Sequence, residues 1–402
     1  MGKVLAARLN AQRCNATGSR RRCECAGQAR YVGRRRKSFV TALGEMELER
    51  AWYHCDACHR GFSPRDRALG FDGGSLSPAV RRMAGLAGAE TSFARASTML
   101  RELAGLKVGA KQVERYVETL GRDIARDERE VVEHEPSPAR TLYVGLDGTG
   151  VPVRKSETAD RIGKQPDGTA KTREVKLVTV WSAERRDRQG APCRDAASVS
   201  CNGAIESIAS RDVDRVPSAF AARILRELQR RGFAQAERRV VLGDGAAWIW
   251  NFADEHLPGA IQIVDLFHAK QHIFDVAKAL YGPGSDLAAQ WGKARRDELD
   301  RLGPAPVIDA LRAQAGTFDE ARKGLDYFTA NRQRMVYPKF RALGLCVTTG
   351  VVEGACKSVI GNRLKRGGMH WSVDGANAII ALRCAIESNR FDDYWERQAV
   401  TS

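Results

Sequence analysis

The sequence predicts an α/β chain: a mixed sheet flanked by helices, preceded by a small cysteine-bearing module and a short helical domain. Three observations carry this. Between residues 141 and 280, strand-like and helix-like runs follow one another in a particular order; four cysteines stand in two close pairs near the amino end; and from 75 to 134 the apolar spacing is helical. The 402 residues suffice for about two or three domains, and a 43% hydrophobic content marks a globular chain.

Residues 1–22 read as a basic arm. The first 40 residues hold eleven Lys or Arg against one acid, Glu24, so most of the chain's formal charge of +16 is gathered there. Such a concentration points to a polyanion, and nucleic acid is preferred over a membrane because the arm lacks an apolar stripe. No apolar run approaches the roughly 18 residues of a membrane helix. The opening Met1-Gly2-Lys3-Val4-Leu5-Ala6-Ala7-Arg8 has no secretory pattern, so the expected location is cytoplasmic.

Residues 23–74 read as a zinc-ribbon-like module. Cys23-Glu24-Cys25 and Cys55-Asp56-Ala57-Cys58 flank a segment that alternates apolar and polar residues around Gly44, the pattern of a hairpin. Paired cysteines at the base of a hairpin suit a structural Zn²⁺ held by Cys23, Cys25, Cys55 and Cys58. Because Cys-x-Cys is tighter than the usual knuckle, His54, His59 or Cys14 stays open as a substitute ligand. The remaining cysteines, Cys193, Cys201, Cys346, Cys356 and Cys384, show no spacing and read as core or incidental thiols.

Residues 75–134 read as a helical domain, with amphipathic runs at 93–103 and 112–124 around a glycine-bearing turn. A helix-turn-helix and a plain helical hairpin fit equally well. His134-Glu135-Pro136-Ser137-Pro138 then excludes helix and marks a boundary.

Strands are expected at 141–153, 175–181 and, weakly, 198–201. A helix follows at 218–231, then a strand at 239–243, a helix at 246–256, a strand at 260–264 and a helix at 269–280. Three successive strands before the alternation begins is the ribonuclease-H-like order, not that of a doubly wound sheet. Residues 281–340 read as a helical insertion. Residues 341–402 return to the core with helices at 351–364 and 376–387.

Two acids follow apolar runs between glycines: Asp147 in Val144-Gly145-Leu146-Asp147-Gly148-Thr149-Gly150, and Asp244 in Leu242-Gly243-Asp244-Gly245. A carboxylate after a buried strand is costly unless it binds something, although a helix cap is the plainer role. Asp265 also follows a buried strand and competes with Asp244. Divalent Mg²⁺ takes oxygen ligands from several elements, and Glu353, opening a helix after Thr348-Thr349-Gly350, is the best third acid. Lys357, Arg363, Lys365 and Arg366 beyond it read as phosphate contacts. Trp248, Trp250 and Trp371 suit base stacking or core packing.

These segments resemble the ISKra family of insertion-sequence transposases, within the Mutator-like DDE group. The resemblance is carried by Gly145-Leu146-Asp147-Gly148-Thr149-Gly150-Val151-Pro152, Gly243-Asp244-Gly245-Ala246-Ala247-Trp248-Ile249-Trp250, Asp265-Leu266-Phe267-His268, Gly350-Val351-Val352-Glu353, Arg363-Leu364-Lys365 and Gly368-Met369-His370-Trp371-Ser372; it spans about Cys23 to Trp395. It implies a ribonuclease-H-like catalytic domain in which Asp147, Asp244 and Glu353 hold two Mg²⁺ or Mn²⁺ ions. Asp265 and His268 fall on the family's Asp-x-x-His element; His268 is either an active-site hydrogen-bonding group or a buried structural histidine. The implied activity is cleavage of double-stranded DNA at element ends, freeing a 3′-hydroxyl that attacks target DNA, by a homodimer or larger synaptic assembly. A nuclease without strand transfer and a DNA-binding regulator without catalysis remain as alternatives.

Overall fold

The computed structural model describes residues 1–12, 18–71, 74–131, 139–159, 161–163, 165–166, 168–208 and 217–400. Cys14 and the proline-marked boundary at 134–138 lie outside the described residues. The chain divides into two compact units, Met1–Ala125 with Arg390–Ser402, and Arg126–Asn389.

In the first unit, α1 (Gly2–Ala11) precedes four antiparallel strands in the order β1 (Arg20–Arg22), β2 (Gln28–Thr41), β3 (Gly44–Cys55) and β4 (Gly61–Phe62). The hairpin around Gly44 is present but much longer than its alternation suggested, because the basic run 30–37 is itself strand. Gly44 turns with a φ of 104°. Within the expected basic arm, Gly2–Ala11 is helix and Arg20–Arg22 is strand. Ala6 of α1 is buried with Phe39, Met46, Leu48 and Phe71, and Gly2 sits so close to the turn that a Cβ would come within 2.7 Å of the Glu45 carbonyl oxygen. Apolar burial of this kind stabilises by about 25 cal/mol per Å², and it seats α1 on the hairpin within the segment whose charge pointed to a polyanion.

After the short α2 (Pro64–Ala68) come α3 (Pro78–Glu90), α4 (Phe93–Ala104) and α5 (Ala110–Glu130). Ser77 and Ser92 accept from the backbone at the starts of α3 and α4, and Gly105, at φ 66°, ends α4. Gly88 of α3 lies against Val117 of α5. A last helix, α16 (Phe391–Val400), groups with this unit and not with the second: Phe391 packs near Gly85, and the Arg82 guanidinium stands 5.5 Å from the Phe391 ring centroid.

The second unit is mixed α/β. Strands β5 (Thr141–Pro152), β6 (Thr172–Ser182) and β9 (Ser200–Ala204) form an antiparallel meander. Between β6 and β9 lies a small hairpin, β7 (Arg185–Arg186) and β8 (Pro192–Cys193), that the sequence pattern did not suggest. Then come α6 (Ala219–Arg230), β10 (Arg238–Gly243), α7 (Ala247–His256), β11 (Ile261–Val264) and α8 (Leu266–Tyr281). The sheet order is β11-β10-β5-β6-β9, with β10 parallel to both β5 and β11. Helices α9 (Asp286–Leu302), α10 (Ala305–Gln314), α11 (Asp319–Ala330) and α12 (Tyr337–Ala342) occupy the expected insertion. They share one core with the sheet, since Leu299, Val307, Leu311, Phe328 and Tyr337 are buried in the same cluster as Val241 and Ile263. The unit closes with α13 (Gly350–Ala355), a π-helical turn at Cys356–Gly361, α14 (Asn362–Leu364) and α15 (Val373–Glu387). Among the described residues no helix is long and apolar enough to cross a membrane.

Candidate active site and metal centres

Strand register brings the acids together. Leu242 of β10 pairs with Gly145 of β5, and Val264 of β11 pairs with Gly243. Two residues beyond the first pair, in step on parallel strands, come Asp147 and Asp244; Asp265 directly follows Val264. Three carboxylates therefore gather at the carboxyl ends of β10 and β11. Asp147 does not itself end a strand. It is β10 that stops, while β5 stays paired with β6 as far as Pro152 opposite Thr172.

Each acid is held by its surroundings. Asp147 Oδ1 accepts from Gly148 N at 2.7 Å, and its Oδ2 accepts from the Cys356 thiol at 3.3 Å. Burial raises the Asp147 carboxyl above its ordinary value, outweighing those donors with the help of the nearby Asp244 charge. Asp244 Oδ1 accepts from Ala246 N at 2.9 Å, and its carbonyl accepts from Tyr327 Oη at 2.8 Å. Tyr327, from α11, also stacks against His272 of α8 with centroids 4.0 Å apart. Gly245, at φ 105°, leaves room for the Tyr327 ring, which a Cβ would meet at 2.5 Å.

Asp265 is different. It is fully buried, and both of its oxygens are taken by the protein. Oδ1 accepts from His268 N at 2.8 Å and lies 3.3 Å from His268 Nδ1. Oδ2 accepts from Thr349 Oγ1 at 2.8 Å and from Thr349 N. Burial pushes this carboxyl up, but the His268 and Thr349 donors prevail and hold it below its ordinary value. In return the hydrogen bond to Asp265, aided by the charges of Asp265, Asp244 and Asp147, raises the His268 imidazole above its ordinary value against its burial.

The fourth acid comes from α13. Val352 presses onto β5 where Gly145 offers no side chain; a Cβ there would lie 1.9 Å from Val352 Cγ2. Thr349 meanwhile fastens the start of α13 to Asp265. Glu353, next to Val352 and exposed, thus faces the strand ends, and ligand atoms of Asp265, His268 and Glu353 lie within 4.8 Å of one another, a group able to hold a metal ion. Clustered carboxylates, with a half-buried Asp147 whose carboxyl is raised by burial and by the Asp244 charge, fit a hard divalent cation.

In the first unit Cys23, Cys25, Cys55 and Cys58 come together within 4.8 Å. The Cys23–Cys58 and Cys25–Cys55 sulfurs are each 3.6 Å apart. Four thiolates about 2.3 Å from a tetrahedral Zn²⁺ would be separated by about 3.8 Å, so the donor set fits zinc. Backbone N–H groups of Cys58 and Ala57 lower the Cys55 thiol to about 7, outweighing its burial. Ala26 and His59 adopt φ near 60° to turn the two knuckles. Neither His54 nor His59 joins the group among the described residues.

No protein family and no curated protein matches the chain. Among solved structures it is similar to "Drosophila P element transposase strand transfer complex", over 84% of this chain and 85% of that one, at 12% identity and a TM-score of 0.29. It is also aligned with "Crystal structure of NurA", over 70% and 63%, at 13% identity and a TM-score of 0.11. Likeness at these scores carries no argument, and the site rests on its residues.

Of the expected DNA contacts, Lys357, Lys365 and Arg366 are exposed, and Lys365 Nζ bonds Thr149 Oγ1 at the edge of the acid cluster. Arg363 and Trp371 are corrections. Arg363 is fully buried, with its guanidinium 4.9 Å from the Trp371 ring centroid, and Trp371 Nε1 donates to Leu364 O at 3.0 Å. Trp371 also bridges to Val153 beyond β5, so this pair braces the segment instead of meeting a base. Trp250 is buried and Trp248 half-buried, as core packing requires. Sequence reading missed Thr349, Tyr327 and Cys356. It also missed Arg383 of α15, which donates to the Ser358 and Val359 carbonyls of the π turn. Thr349 and Cys356, on either side of the expected glutamate, lay near a local signal; Tyr327 and Arg383 did not.

Proposed function

We propose that this chain is a DNA transposase of the kind its motifs resemble, with a ribonuclease-H-like core that cleaves element ends and joins them to target DNA. The observation that supports this reading is the gathering of Asp147, Asp244 and Asp265 at the carboxyl edge of a sheet ordered β11-β10-β5-β6-β9, a meander followed by two parallel strands, with Glu353 within 4.8 Å of Asp265 and His268. Asp147, Asp244 and Glu353 would hold two Mg²⁺ or Mn²⁺ ions, which when bound polarise the attacking and leaving oxygens of a phosphodiester. Asp265 stands with Glu353 and His268 in the group able to hold a metal ion; because its oxygens also accept from His268 and Thr349, we assign it the anchoring role and Asp244 that of second ligand. His268, oriented by Asp265, would donate to a phosphate oxygen, and Lys357, Lys365 and Arg366 would hold the flanking backbone. Cys23, Cys25, Cys55 and Cys58 would hold a structural Zn²⁺.

Alanine at Asp147, Asp244 or Glu353 should each abolish Mg²⁺- or Mn²⁺-dependent cleavage of end DNA while duplex binding survives. Should Asp244→Ala still cut while a folded Asp265→Ala does not, Asp265 is the ligand instead. A pre-cleaved end with a 3′-hydroxyl, incubated with a target plasmid, should give a joined product. Cleavage with no joining would make the chain a nuclease only.

A further inference from the structure

The face of the β2–β3 ribbon in the first unit changes character along its length. At one end Phe39 opposes Met46, and Leu48 lies beside them; α1 covers this half. At the other end Arg35 stands directly opposite Arg50, and Trp52 opposite Gly33. Like charges directly across an antiparallel pair destabilise it unless anions intervene. One anion is built in: Asp66 of α2 lies 2.8 Å from Arg50 Nε, both side chains almost fully buried. Arg35 has no carboxylate within ion-pair range among the described residues. It is exposed, and its guanidinium stands 4.9 Å from the Trp52 ring centroid.

Here a cavity of about 440 Å³ opens. Five basic residues line it, Arg35, Arg36, Lys37, Arg50 and Arg67, against two acids. Asp66 is taken by Arg50, and Glu24 pairs with Arg67. The Trp52 ring forms the floor, lying so close over Gly61 that a Cβ there would come within 2.6 Å. A guanidinium stacked on an indole is held in one plane, so it loses less freedom when it grips a tetrahedral oxyanion.

We infer that this cavity is a phosphate-binding site, in which Arg35, oriented by Trp52, receives a second anion beside the Asp66 that already serves Arg50. The phosphate belongs either to a nucleic-acid backbone or to a free phosphate compound. The inference rests on this cavity and not on the acid cluster, so its failure leaves the catalytic reading untouched.

The test uses the full-length, zinc-loaded protein. Its unfolding midpoint is followed with tripolyphosphate against chloride at equal ionic strength, and its affinity for a labelled duplex is followed against salt. Wild-type protein should gain a few degrees in tripolyphosphate. Arg35→Gln should lose that gain while keeping its zinc and, relieved of like-charge repulsion, an equal or higher midpoint in chloride. Arg67→Gln is the second variant, and Arg312→Gln, which removes a charge in the other unit, is the control. A log–log salt slope shallower by about one in Arg35→Gln assigns the site to a backbone phosphate. An unchanged slope with lost protection assigns it to free phosphate. Undiminished protection in both Arg35→Gln and Arg67→Gln, no protection in the wild type, or equal loss in Arg312→Gln overturns the inference.

Discussion

Replacing Gly145 with alanine tests how the site is assembled. The added methyl would lie 1.9 Å from Val352 Cγ2, 2.8 Å from the Trp181 ring and 3.0 Å from Thr179 Oγ1. Carbon contacts settle at about 3.5–4.0 Å, so Val352 must retreat by roughly 1.6–2 Å. Trp181 cannot yield, being fully buried and stacked on Tyr143 at 5.4 Å, so the displacement falls on α13 and carries Glu353 with it. Overpacking of this kind costs about 1–3 kcal/mol, or roughly 2–10 °C in melting temperature for a unit of this size. A catalytic group misplaced by about 1 Å can lower the rate about a hundredfold. Val352→Ala removes the shortest of these contacts and leaves the 2.8 Å approach to Trp181, so the double variant should regain part of the lost stability and more of the cleavage, a non-additive cycle. Calorimetry and single-turnover cleavage, with Mn²⁺ binding as an activity-free readout, check this. Additive losses in the double variant, or an unperturbed Gly145→Ala, would refute the packing argument.

Purified protein should contain about one Zn²⁺ per chain, and Cys55→Ser with Cys58→Ser should lose it and unfold the first unit; metal analysis finding none in a folded protein refutes this. Thr349→Val deletes a hydroxyl donor to the buried Asp265 and should cost about 1–3 kcal/mol in urea unfolding, with Thr349→Ser close to wild type. Because the folded His268 titrates above its ordinary value, its pairing with Asp265 contributes stability that is complete below the unfolded value and lost as pH rises through the folded one. In zinc-loaded protein freed of Mg²⁺ and Mn²⁺ by gel filtration, His268→Gln should therefore destabilise more at about pH 5.5 than at about pH 9, and an equal effect at both would contradict the pairing.

The periodicities set the order of elements because they are local: a period of two in 141–153 and a period near 3.6 in 218–231 reflect which side of each segment meets apolar surface. They placed Asp244 and Asp265 just past strand ends and Asp147 within a strand. They could not say which carboxylate stays available, since that depends on Thr349, 84 residues beyond Asp265, donating to its oxygens. Nor could they find Tyr327, whose grip on the Asp244 carbonyl crosses 83 residues from a helix that reads as a charged insertion.

Charge misled in two places for one reason. Lys and Arg residues in a sequence look alike whether solvated or stacked, so residues 1–22 read as an arm and Arg363 as a phosphate contact. Yet Ala6 buries α1 against the hairpin, and Trp371 covers a fully buried Arg363. By itself the sequence determined the strand and helix order, the four-cysteine cluster and the neighbourhood of the acids, all of which follow from spacing along the chain. Which acids the protein's own donors engage, how Val352 seats α13 at Gly145 and brings Glu353 beside Asp265 and His268, and which cations face solvent were decided only by tertiary packing, because each depends on contacts between residues far apart in sequence.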